Sequence, residues 1–385
     1  MTNNKTLKSI PEDWKIELVE NLCKIGRGRV INRKELADNP GNYPVYSSQS
    51  TNGGCFGNIG SYDFDGEYVT WTTDGEYAGT TFYRNGKFNC TNVCGTLEVK
   101  ERGKIDMRFL AYALSVLTQK FVVRTANPKL MNGIMAKIPV FLPPANEQKK
   151  IAEILTTVDE EIQKTDRVIV ATKKFKKGLV QKILIDKFFK ADAKDSISSI
   201  CVANPEQINP KKEKNKLFRY IDIGSVSDGK TTTTKEFMGS EAPSRARRLV
   251  CGNDVIISTV RPNLKAFAYI TDDFNNFLVS TGFCVLRAIR QISDPRFIYQ
   301  VISTDQFTNY LVSKTTGSNY PAVNYKDILD FKMIIPKLSE QETIADILVQ
   351  IDNEVLINKE IKEKLILLKK GLMQDLLSGK VRVKI

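Results

Sequence analysis

The chain has 385 residues, enough for two domains that each bury a core of their own. It carries 57 lysines and arginines against 44 aspartates and glutamates, and this net charge of +13 favours a polyanionic partner. The sequence contains no histidine, which removes the commonest general base and argues against hydrolase chemistry.

The cysteines and the N-terminus bear on the cellular compartment. Residues 1–14 lack the apolar core of a signal peptide and no apolar run is long enough to span a membrane, so we expect a cytoplasmic protein without a membrane partner. The seven cysteines are an odd number, which favours reduced thiols over a disulfide framework. Cys90 and Cys94 are the one close pair, and a zinc site would need two more distant thiols. We therefore predict buried thiols and no metal site.

Short β-type runs separated by glycine and asparagine dominate the first part of the chain. They predict strands at residues 68–73, 80–83 and 95–99, and a short helix follows at residues 108–118. We assign residues 1–144 to a mostly β domain.

A long helix is predicted next, over residues 145–188. Its apolar positions recur at spacings of four and three, the pattern of a coiled-coil seam. The predicted seam consists of Ile151, Leu155, Val158, Ile162, Thr165, Ile169, Thr172, Lys176, Leu179 and Ile183. A helix of this length extends roughly 60 Å, which is more than a small domain needs to cover itself. An amphipathic helix packed on its own domain is the alternative.

A second mostly β domain is predicted over residues 189–336. Its strands are predicted at residues 217–223, 254–259, 267–270 and 283–287, and its short helix at residues 295–303. The two domains thus have the same kind of element order.

The last part of the chain, residues 337–385, repeats the long helix. Glu147 and Glu340 are 193 positions apart, and so are Gln148 and Gln341, with no insertion across the match. The second seam is predicted to begin with Ile344, Leu348, Ile351, Val355 and Asn358 and then to move to Ile361, Leu365, Leu368 and Leu372. Thr165 and Asn358 are equivalent polar seam positions that can set the register.

Two copies of one module predict an α+β fold with internal pseudo-two-fold symmetry. In this fold each mostly β domain is followed by a long helix, and the two helices pair as an antiparallel coiled coil. Such a pair would separate two DNA-reading domains by about one duplex turn, roughly 34 Å. The sequence therefore predicts a two-part DNA target with an unread gap.

A motif occurs at the start of both long helices. The pattern P-x-x-x-E-Q-x-x-I-A-x-I-L spans residues 143–155 and again 336–348, each time after a domain of different sequence. This arrangement resembles the specificity subunit of type I restriction-modification enzymes over essentially the whole chain. The resemblance implies a target-recognition domain at residues 1–144 and another at residues 189–336, with a spacer helix after each.

The resemblance also implies the partners. This chain would be non-catalytic and would bind no cofactor, while two methyltransferase subunits would carry S-adenosylmethionine and methylate adenines. Restriction subunits would supply ATP- and magnesium-dependent cleavage of double-stranded DNA. The residues assigned to the spacer helices and to methyltransferase docking are Glu147, Gln148, Ile151, Leu155, Val158, Ile162, Glu340, Gln341, Ile344, Leu348, Ile351 and Val355.

The candidate DNA-binding residues are polar and basic side chains near glycine-rich turns, which can approach base edges closely. In the first domain they are Ser48, Gln49, Ser50, Asn52, Thr72, Thr73, Lys87, Asn89 and Asn92. In the second domain they are Lys230, Arg245, Arg247, Arg248, Thr259, Arg261, Asn263 and Lys265. A solvent-exposed turn is the alternative for each of them.

Several motifs compete with this interpretation. Residues 224–231 match the phosphate-loop pattern G-x4-G-K-T, but the following β-branched run predicts a strand-turn-strand in place of the helix that such a loop needs. A self-contained methyltransferase or nuclease would need catalytic motifs that the sequence lacks. A purely structural coiled-coil adaptor is a third class. The lysines at 173, 174, 176 and 177, with Lys369 and Lys370, are interpreted as solvated helix ends or as docking residues.

Overall fold

The computed structural model describes residues 11–48, 52–101, 103–227, 229–271, 276–317 and 321–384. The chain divides into two compact units, which we call unit 1 (residues 1–165 and 361–385) and unit 2 (residues 166–360). Each unit contains one mostly β domain together with half of each long helix. The predicted fold class, two such domains each followed by a long helix, is confirmed.

Unit 1 is built on a six-stranded sheet. Its strands, in spatial order, are Cys23–Arg27, Cys94–Val99, Phe64–Thr72, Thr81–Cys90, Tyr43–Tyr46 and Cys55–Ile59. Lys15–Leu18 and Pro139–Leu142 form a separate antiparallel pair. The helices of this domain are Val19–Leu22, Arg33–Asp38, Met107–Leu117 and Asn132–Ala136. The three predicted strands and the helix near residue 108 are present, although the second strand extends to Cys90 and the first begins at Phe64.

Unit 2 contains two four-stranded sheets. One has the order Lys235–Met238, Leu217–Ile221, Phe277–Ser280, Ala246–Val250, and the other Phe267–Tyr269, Val255–Ser258, Phe283–Ala288, Cys201–Ala203. A short hairpin pairs Val226–Ser227 with Lys230–Thr231. The helices are Pro295–Ile302, Asp305–Lys314 and Tyr325–Leu329. The four predicted strands and the first of these helices are confirmed.

The first long helix is Ala145–Val180, which a π-helical turn at Gln181–Ile185 and a last turn at Asp186–Phe188 extend. The second long helix is Leu338–Leu376. A proline carbonyl precedes the first helix and accepts from the amides of Glu147 and Gln148 in its first turn. These bounds are close to the start points that the sequence predicts.

Apolar packing joins each domain to its halves of the long helices. In unit 1, Phe109 and Leu114 belong to the same buried cluster as Leu155 and Leu376. In unit 2, the corresponding cluster contains Phe297 and Val301 with Leu184, Ile344 and Leu348. Full burial stabilises the fold by about 1.5–3 kcal/mol for each large apolar side chain. The long helices are therefore part of each domain core over these segments.

A buried glutamine fixes the start of the second long helix. Gln341 is fully buried. Its Oε1 accepts from the backbone N–H of Asp294 at 3.0 Å, and its Nε2 donates to the carbonyls of Pro336 at 2.9 Å and Ile292 at 3.0 Å. Asp294 is the N-cap of helix Pro295–Ile302. One side chain thus ties the long helix to the neighbouring short helix of the domain.

The equivalent glutamine makes the same contacts in unit 1. Gln148 accepts from the N–H of Asp106 at 3.0 Å and donates to the carbonyl of Pro143 at 2.9 Å. Asp106 caps helix Met107–Leu117 through its side chain. The glutamine of the repeated motif therefore serves the same structural purpose twice, inside the domain and away from its surface.

The glutamates next to these glutamines differ. Glu147 is fully buried and accepts from Trp14 at 3.2 Å and from two nitrogens of Arg382 at 2.7 and 2.8 Å. Arg382 also binds Asp13 and holds the pKa of that carboxyl below its usual range. Glu340 is exposed and pairs with Lys187 at 3.5 Å. Glu147, assigned by sequence to the docking set, is thus an internal anchor in this structure.

The burial pattern supports the predicted seam of the first helix. Ile151, Leu155, Thr165 and Ile169 are buried. The other predicted seam positions are partly buried, namely Val158, Ile162, Thr172, Lys176, Leu179 and Ile183. In the second helix Ile344, Leu348, Ile351 and Val355 are buried.

Equivalent ion pairs join the two helices in each unit. In unit 1, Lys369 Nζ lies 2.6 Å from Asp159 Oδ1. In unit 2, Lys176 Nζ lies 2.7 Å from both carboxylate oxygens of Asp352. The two aspartates are 193 positions apart, as are the two lysines, and the position numbers in each pair add up to 528. In unit 2, Lys176 of the first helix pairs with Asp352 of the second, and the later Lys187 pairs with the earlier Glu340. The two helices therefore run antiparallel.

The predicted shift of the second seam is wrong at Ile361 and Leu368, whereas Leu365 and Leu372 are partly buried as predicted. Ile361 and Leu368 are exposed, whereas Lys362 and Lys369 are partly buried on the seam side. The register of the first helix continues unchanged at the 193-residue offset. A lysine occupies a seam position because its aliphatic stem covers apolar surface while its ammonium reaches a carboxylate, here that of Asp159.

The two polar seam residues donate hydrogen bonds within their own helices. Thr165 Oγ1 donates to the carbonyl of Glu161 at 2.8 Å, and Asn358 Nδ2 donates to the carbonyl of Glu354 at 2.9 Å. Each polar group thus satisfies a carbonyl one turn earlier in its own helix. The lysine–aspartate pairs, in contrast, reach from one helix to the other.

All seven cysteines are free thiols, as predicted, and Cys55 and Cys251 alone are partly exposed. Burial raises the pKa of Cys94 to about 11, so this thiol is protonated at neutral pH. Within the described ranges, no helix combines the length and the apolar character that a membrane crossing requires.

Replacing Gln341 by methionine is expected to lower the free energy of unfolding by about 2–4 kcal/mol, because it leaves three buried backbone groups without partners. Chemical denaturation measures this difference. Glu340→Gln is the matched control at the adjacent exposed position and is expected to change stability by less than about 0.5 kcal/mol. Equal effects of the two substitutions would contradict the assigned role of Gln341.

Candidate nucleic-acid interface

One edge of the unit 1 sheet gathers three chain segments. Thr73 follows strand Phe64–Thr72, and its N–H donates to the carbonyl of Val93 at 2.9 Å. The carbonyl of Thr73 accepts from the N–H of Leu130, also at 2.9 Å. The strand end, the turn around residue 92 and the segment after Pro128 therefore meet at one place.

The same bonds occur in unit 2. Thr259 follows strand Val255–Ser258, its N–H donates to Gly282 at 2.8 Å, and its carbonyl accepts from Val323 at 2.9 Å. Val323 and Leu130 are 193 positions apart. We call these two places edge 1, around Thr73, and edge 2, around Thr259.

A turn follows each edge, and the two turns have positive φ angles and a hydrogen bond at equivalent positions. At edge 1, Gly75 has φ +97° and donates to Pro128 at 3.0 Å, and Gly79 has φ +85°. At edge 2, Arg261 has φ +48° and donates to Pro321 at 2.8 Å, and Lys265 has φ +50°. Arg261 and Lys265 thus occupy the left-handed positions that glycines fill in the other copy.

These left-handed positions carry an energetic cost in unit 2. A side chain at such a φ costs roughly 1–2 kcal/mol, and glycine avoids this cost. Arg261 and Lys265 adopt this backbone conformation although both carry side chains. Asn263, between them, is exposed.

The first-domain candidates fall into two groups. Ser48 is partly exposed, and Asn52, Lys87 and Asn92 are exposed. Lys87 lies 4.4 Å above the ring of Tyr62. The candidates Gln49 and Ser50 lie outside the described residues.

Thr72, Thr73 and Asn89 are buried, so their side chains are not available to DNA in this structure. Thr73 Oγ1 donates to Asp74 at 2.6 Å, and Asn89 Nδ2 donates to the carbonyl of Ser61 at 2.7 Å. We assign these residues a structural role. A strand that ends in consecutive threonines gives no sequence signal for which of them points inward.

Sequence reasoning missed Arg84, which supports the loop before strand Cys55–Ile59. Its guanidinium lies 3.4 Å from the ring centre of Tyr46 and donates to the carbonyl of Gly53 at 2.7 Å. Ser47 donates through its N–H to Gly54 at 2.8 Å and closes the same loop. Tyr46 and Arg84 are far apart in sequence, so no local pattern could have found this contact.

The second-domain candidates also divide. Lys230, Arg245, Arg261 and Asn263 are exposed. Lys265 donates to Asp305 at 2.7 Å and holds the pKa of that carboxyl below its usual value.

Arg247, Arg248 and Thr259 are engaged within the domain. Arg247 Nε donates to the carbonyl of Ser244 at 3.1 Å, and Thr259 Oγ1 donates to that of Gly282 at 2.9 Å. Arg248 Nε and Nη1 are buried without a hydrogen-bond partner among the described residues. Burial lowers the pKa of Arg248 from its ordinary value. These three side chains are therefore less available to DNA than Arg245 and Arg261.

Two alternative sites can be compared with the structure. Lys230–Thr231 is a short strand of a hairpin, so the phosphate-loop match is a strand-turn-strand, as predicted. Among the described residues, no group of three acidic or cysteine side chains is placed to hold a metal ion.

The lysines near the ends of the long helices also differ in their surroundings. Lys176 and Lys369 lie in the helix seam, Lys177 pairs with Asp305 at 3.4 Å, and Lys173 and Lys174 are exposed.

Comparison with solved structures shows the fold. An S subunit of a type I restriction-modification system from M. genitalium matches with a TM-score of 0.68 at 15% identity, covering 98% of this chain and 97% of that one. Another match, described as part of a type I restriction-modification system, has a TM-score of 0.52 at 18% identity and covers 97% of this chain and all of that one.

Sequence relatives come from Mycoplasma pneumoniae. S.MpnORF507P, named as a type I specificity subunit, is 29% identical over 334 residues, which are 85% of this chain and 86% of that protein. S.MpnORF285P, similarly named, is 51% identical over 138 residues, which are 36% of this chain and 45% of that protein. The chain thus spans about half the length of several relatives that it matches.

A family description, the type I restriction modification DNA specificity domain, matches the chain twice. The matched residues are 11–170 and 196–366, each of which contains one edge and the start of one long helix. On this evidence the chain belongs to the family of type I restriction-modification DNA specificity proteins.

Proposed function

We propose that this chain is the non-catalytic specificity subunit of a type I restriction-modification complex, and that edge 1 and edge 2 each read one half of a split DNA target. The observation that carries the proposal is that one backbone edge is built twice with different side chains. Because the two edges share their backbone hydrogen bonds, both can approach DNA in the same way. Because their side chains differ, each can recognise a different base sequence.

The chemistry of the edges suits base recognition. Arg261 and Asn263 at edge 2 offer the guanidinium and amide groups that pair with guanine and adenine edges in the major groove. Asn92 at edge 1 presents an exposed amide. The net charge of +13 supports binding to the phosphate backbone.

The outer faces of the long helices support the proposed partners. Phe175 and Leu368 are 62% and 51% exposed, although both are apolar. They are 193 positions apart, and each follows an exposed apolar residue by one heptad, Val168 or Ile361. Two equivalent apolar patches fit two copies of one partner, which we identify as the methyltransferase subunit.

The cofactors then belong to the partners. S-adenosylmethionine would bind the methyltransferase subunits, and ATP and magnesium the restriction subunits, in the cytoplasm where double-stranded DNA is available. This chain contributes the reading edges and the docking patches.

Exchanging residues 1–144 for the corresponding domain of another specificity subunit is expected to change one half of the methylated sequence and leave the other half intact. The reason is that edge 1 lies entirely within the exchanged residues. Sequencing that maps methylated adenines in cells carrying the chain and its methyltransferase measures this. Exchange of residues 189–336 is the reciprocal control, and a change in both halves after either exchange would sink the two-reader proposal.

Arg261→Gly and Arg261→Ala are both expected to weaken binding to the mapped target, by about 5- to 100-fold, because either removes a base-reading guanidinium. The glycine variant is expected to be about 1 kcal/mol more stable than the alanine variant, because it alone relieves the left-handed backbone. Binding titrations and thermal unfolding measure the two effects. Target binding at the level of the unsubstituted chain in both variants would remove Arg261 from the reading residues.

Phe175→Asp is expected to reduce the complex from two methyltransferase subunits to one, and Phe175→Asp with Leu368→Asp to abolish docking, because each aspartate places a charge in an apolar contact. Native mass spectrometry counts the subunits. Val170→Asp is the matched control, since Val170 is 61% exposed but its equivalent is Glu363. Full assembly of the double variant would show that docking uses another surface.

A further inference from the structure

An exposed group of lysines lies in the loop between strands Cys201–Ala203 and Leu217–Ile221. Lys211, Lys212 and Lys214 are exposed. None of these three has a carboxylate partner among the described residues, whereas the nearby Lys216 pairs with Glu213 at 2.9 Å. We call residues 209–216 the lysine loop.

Hydrogen bonds hold the lysine loop at both ends. Asn209 Oδ1 accepts from the N–H of Lys211 at 3.3 Å and from the guanidinium of Arg247. At the other end, the carbonyl of Lys214 accepts from Ser240 at 3.1 Å, and that of Lys216 accepts from Gly239 at 2.9 Å. The loop therefore presents its lysines from a fixed backbone.

A series of hydrogen bonds connects the lysine loop with edge 2. Thr259 at the centre of edge 2 bonds to Gly282, and the preceding Thr281 donates to the carbonyl of Arg245 at 2.9 Å. Arg245 precedes strand Ala246–Val250, in which Arg247 reaches the loop through Asn209. Backbone and side-chain contacts thus lead without a break from the reading turn to the lysines.

Some of the basic side chains in this part of unit 2 pair with carboxylates and others do not. On the adjacent sheet Arg219 pairs with Glu236 at 2.8 Å and Lys235 with Asp222 at 2.7 Å. Lys211, Lys212 and Lys214 have no such carboxylate partner among the described residues. Lysine is a compact charge on a flexible stem, so it suits phosphate oxygens better than base edges.

We infer that the lysine loop is a second DNA-binding element, which contacts the phosphate backbone next to the half-site read by edge 2. It adds affinity without sequence information. The inference rests on the proposed function and adds a surface that the reading edges do not include.

The test replaces Lys211, Lys212 and Lys214 by glutamine in the full chain and measures binding to a fluorescent 40-base-pair duplex between about 50 and 200 mM salt. Each lost phosphate contact is expected to reduce the slope of log affinity against log salt by about 0.9, to a maximum of about 2.7. The sequence methylated with the partner present is expected to stay the same.

A matched control replaces Lys190, Lys194 and Lys337 by glutamine. These lysines are exposed, lack a carboxylate partner among the described residues and belong to unit 2. Lys190 and Lys194 come before Cys201 in the sequence. Cys201 pairs with Ala288, which is the last residue of strand Phe283–Ala288, whereas Gly282 of edge 2 precedes the first residue of that strand. The control removes the same charge away from edge 2 and is expected to leave the slope unchanged.

The outcomes separate the inference from the proposed function. An unchanged slope in the lysine-loop variant, or an equal decrease in both variants, overturns the inference. The inference is also overturned if the lysine-loop variant keeps the slope of log affinity against log salt but no longer co-purifies with an acidic protein. That result would identify the loop as a protein contact. Failure of the unsubstituted chain to bind the duplex at any salt concentration contradicts the proposed function itself.

Discussion

Both domains depend on a glutamine buried at the start of a long helix. Gln148 and Gln341 each bond to one other segment of the domain and to the proline carbonyl just before their own helix, so a displacement of either helix start leaves buried groups unpaired. Because the bonds are directional, they fix position more sharply than apolar burial alone. The repeated motif at residues 143–155 and 336–348 is thus explained by the physical chemistry of one side chain.

The helices and the element order could be predicted because their signals are local. Spacings of four and three, proline before a helix and glycine between β-branched runs are read within a few residues. The second seam was mispredicted at Ile361 and Leu368, since apolar character alone does not distinguish a seam isoleucine from a seam lysine paired with Asp159. The edges were partly predicted. Thr73 lies at the edge next to Val93, twenty residues away in the sequence, and no local pattern contains this backbone bond.

The two copies share the contacts of the long helices and differ in the side chains of the turns. The lysine–aspartate pairs, the buried glutamines and the exposed Phe175 and Leu368 recur at one offset, as expected for surfaces that meet the same partner twice. The projecting turns keep their backbone bonds and change their side chains. The difference between the two copies therefore lies in the side chains of the edges, and the similarity lies in the helices.

The left-handed turn positions bear on how specificity changes over time. Gly75 and Arg261 occupy equivalent positions, so under the proposed function a substitution there would alter readout without moving a strand. Each departure from glycine costs about 1 kcal/mol, a substantial part of the few kcal/mol by which proteins stay folded. A lineage that acquires new side chains on these turns must carry surplus stability in its core first. The recognition repertoire open to this scaffold is then limited by the strength of its hydrophobic cores.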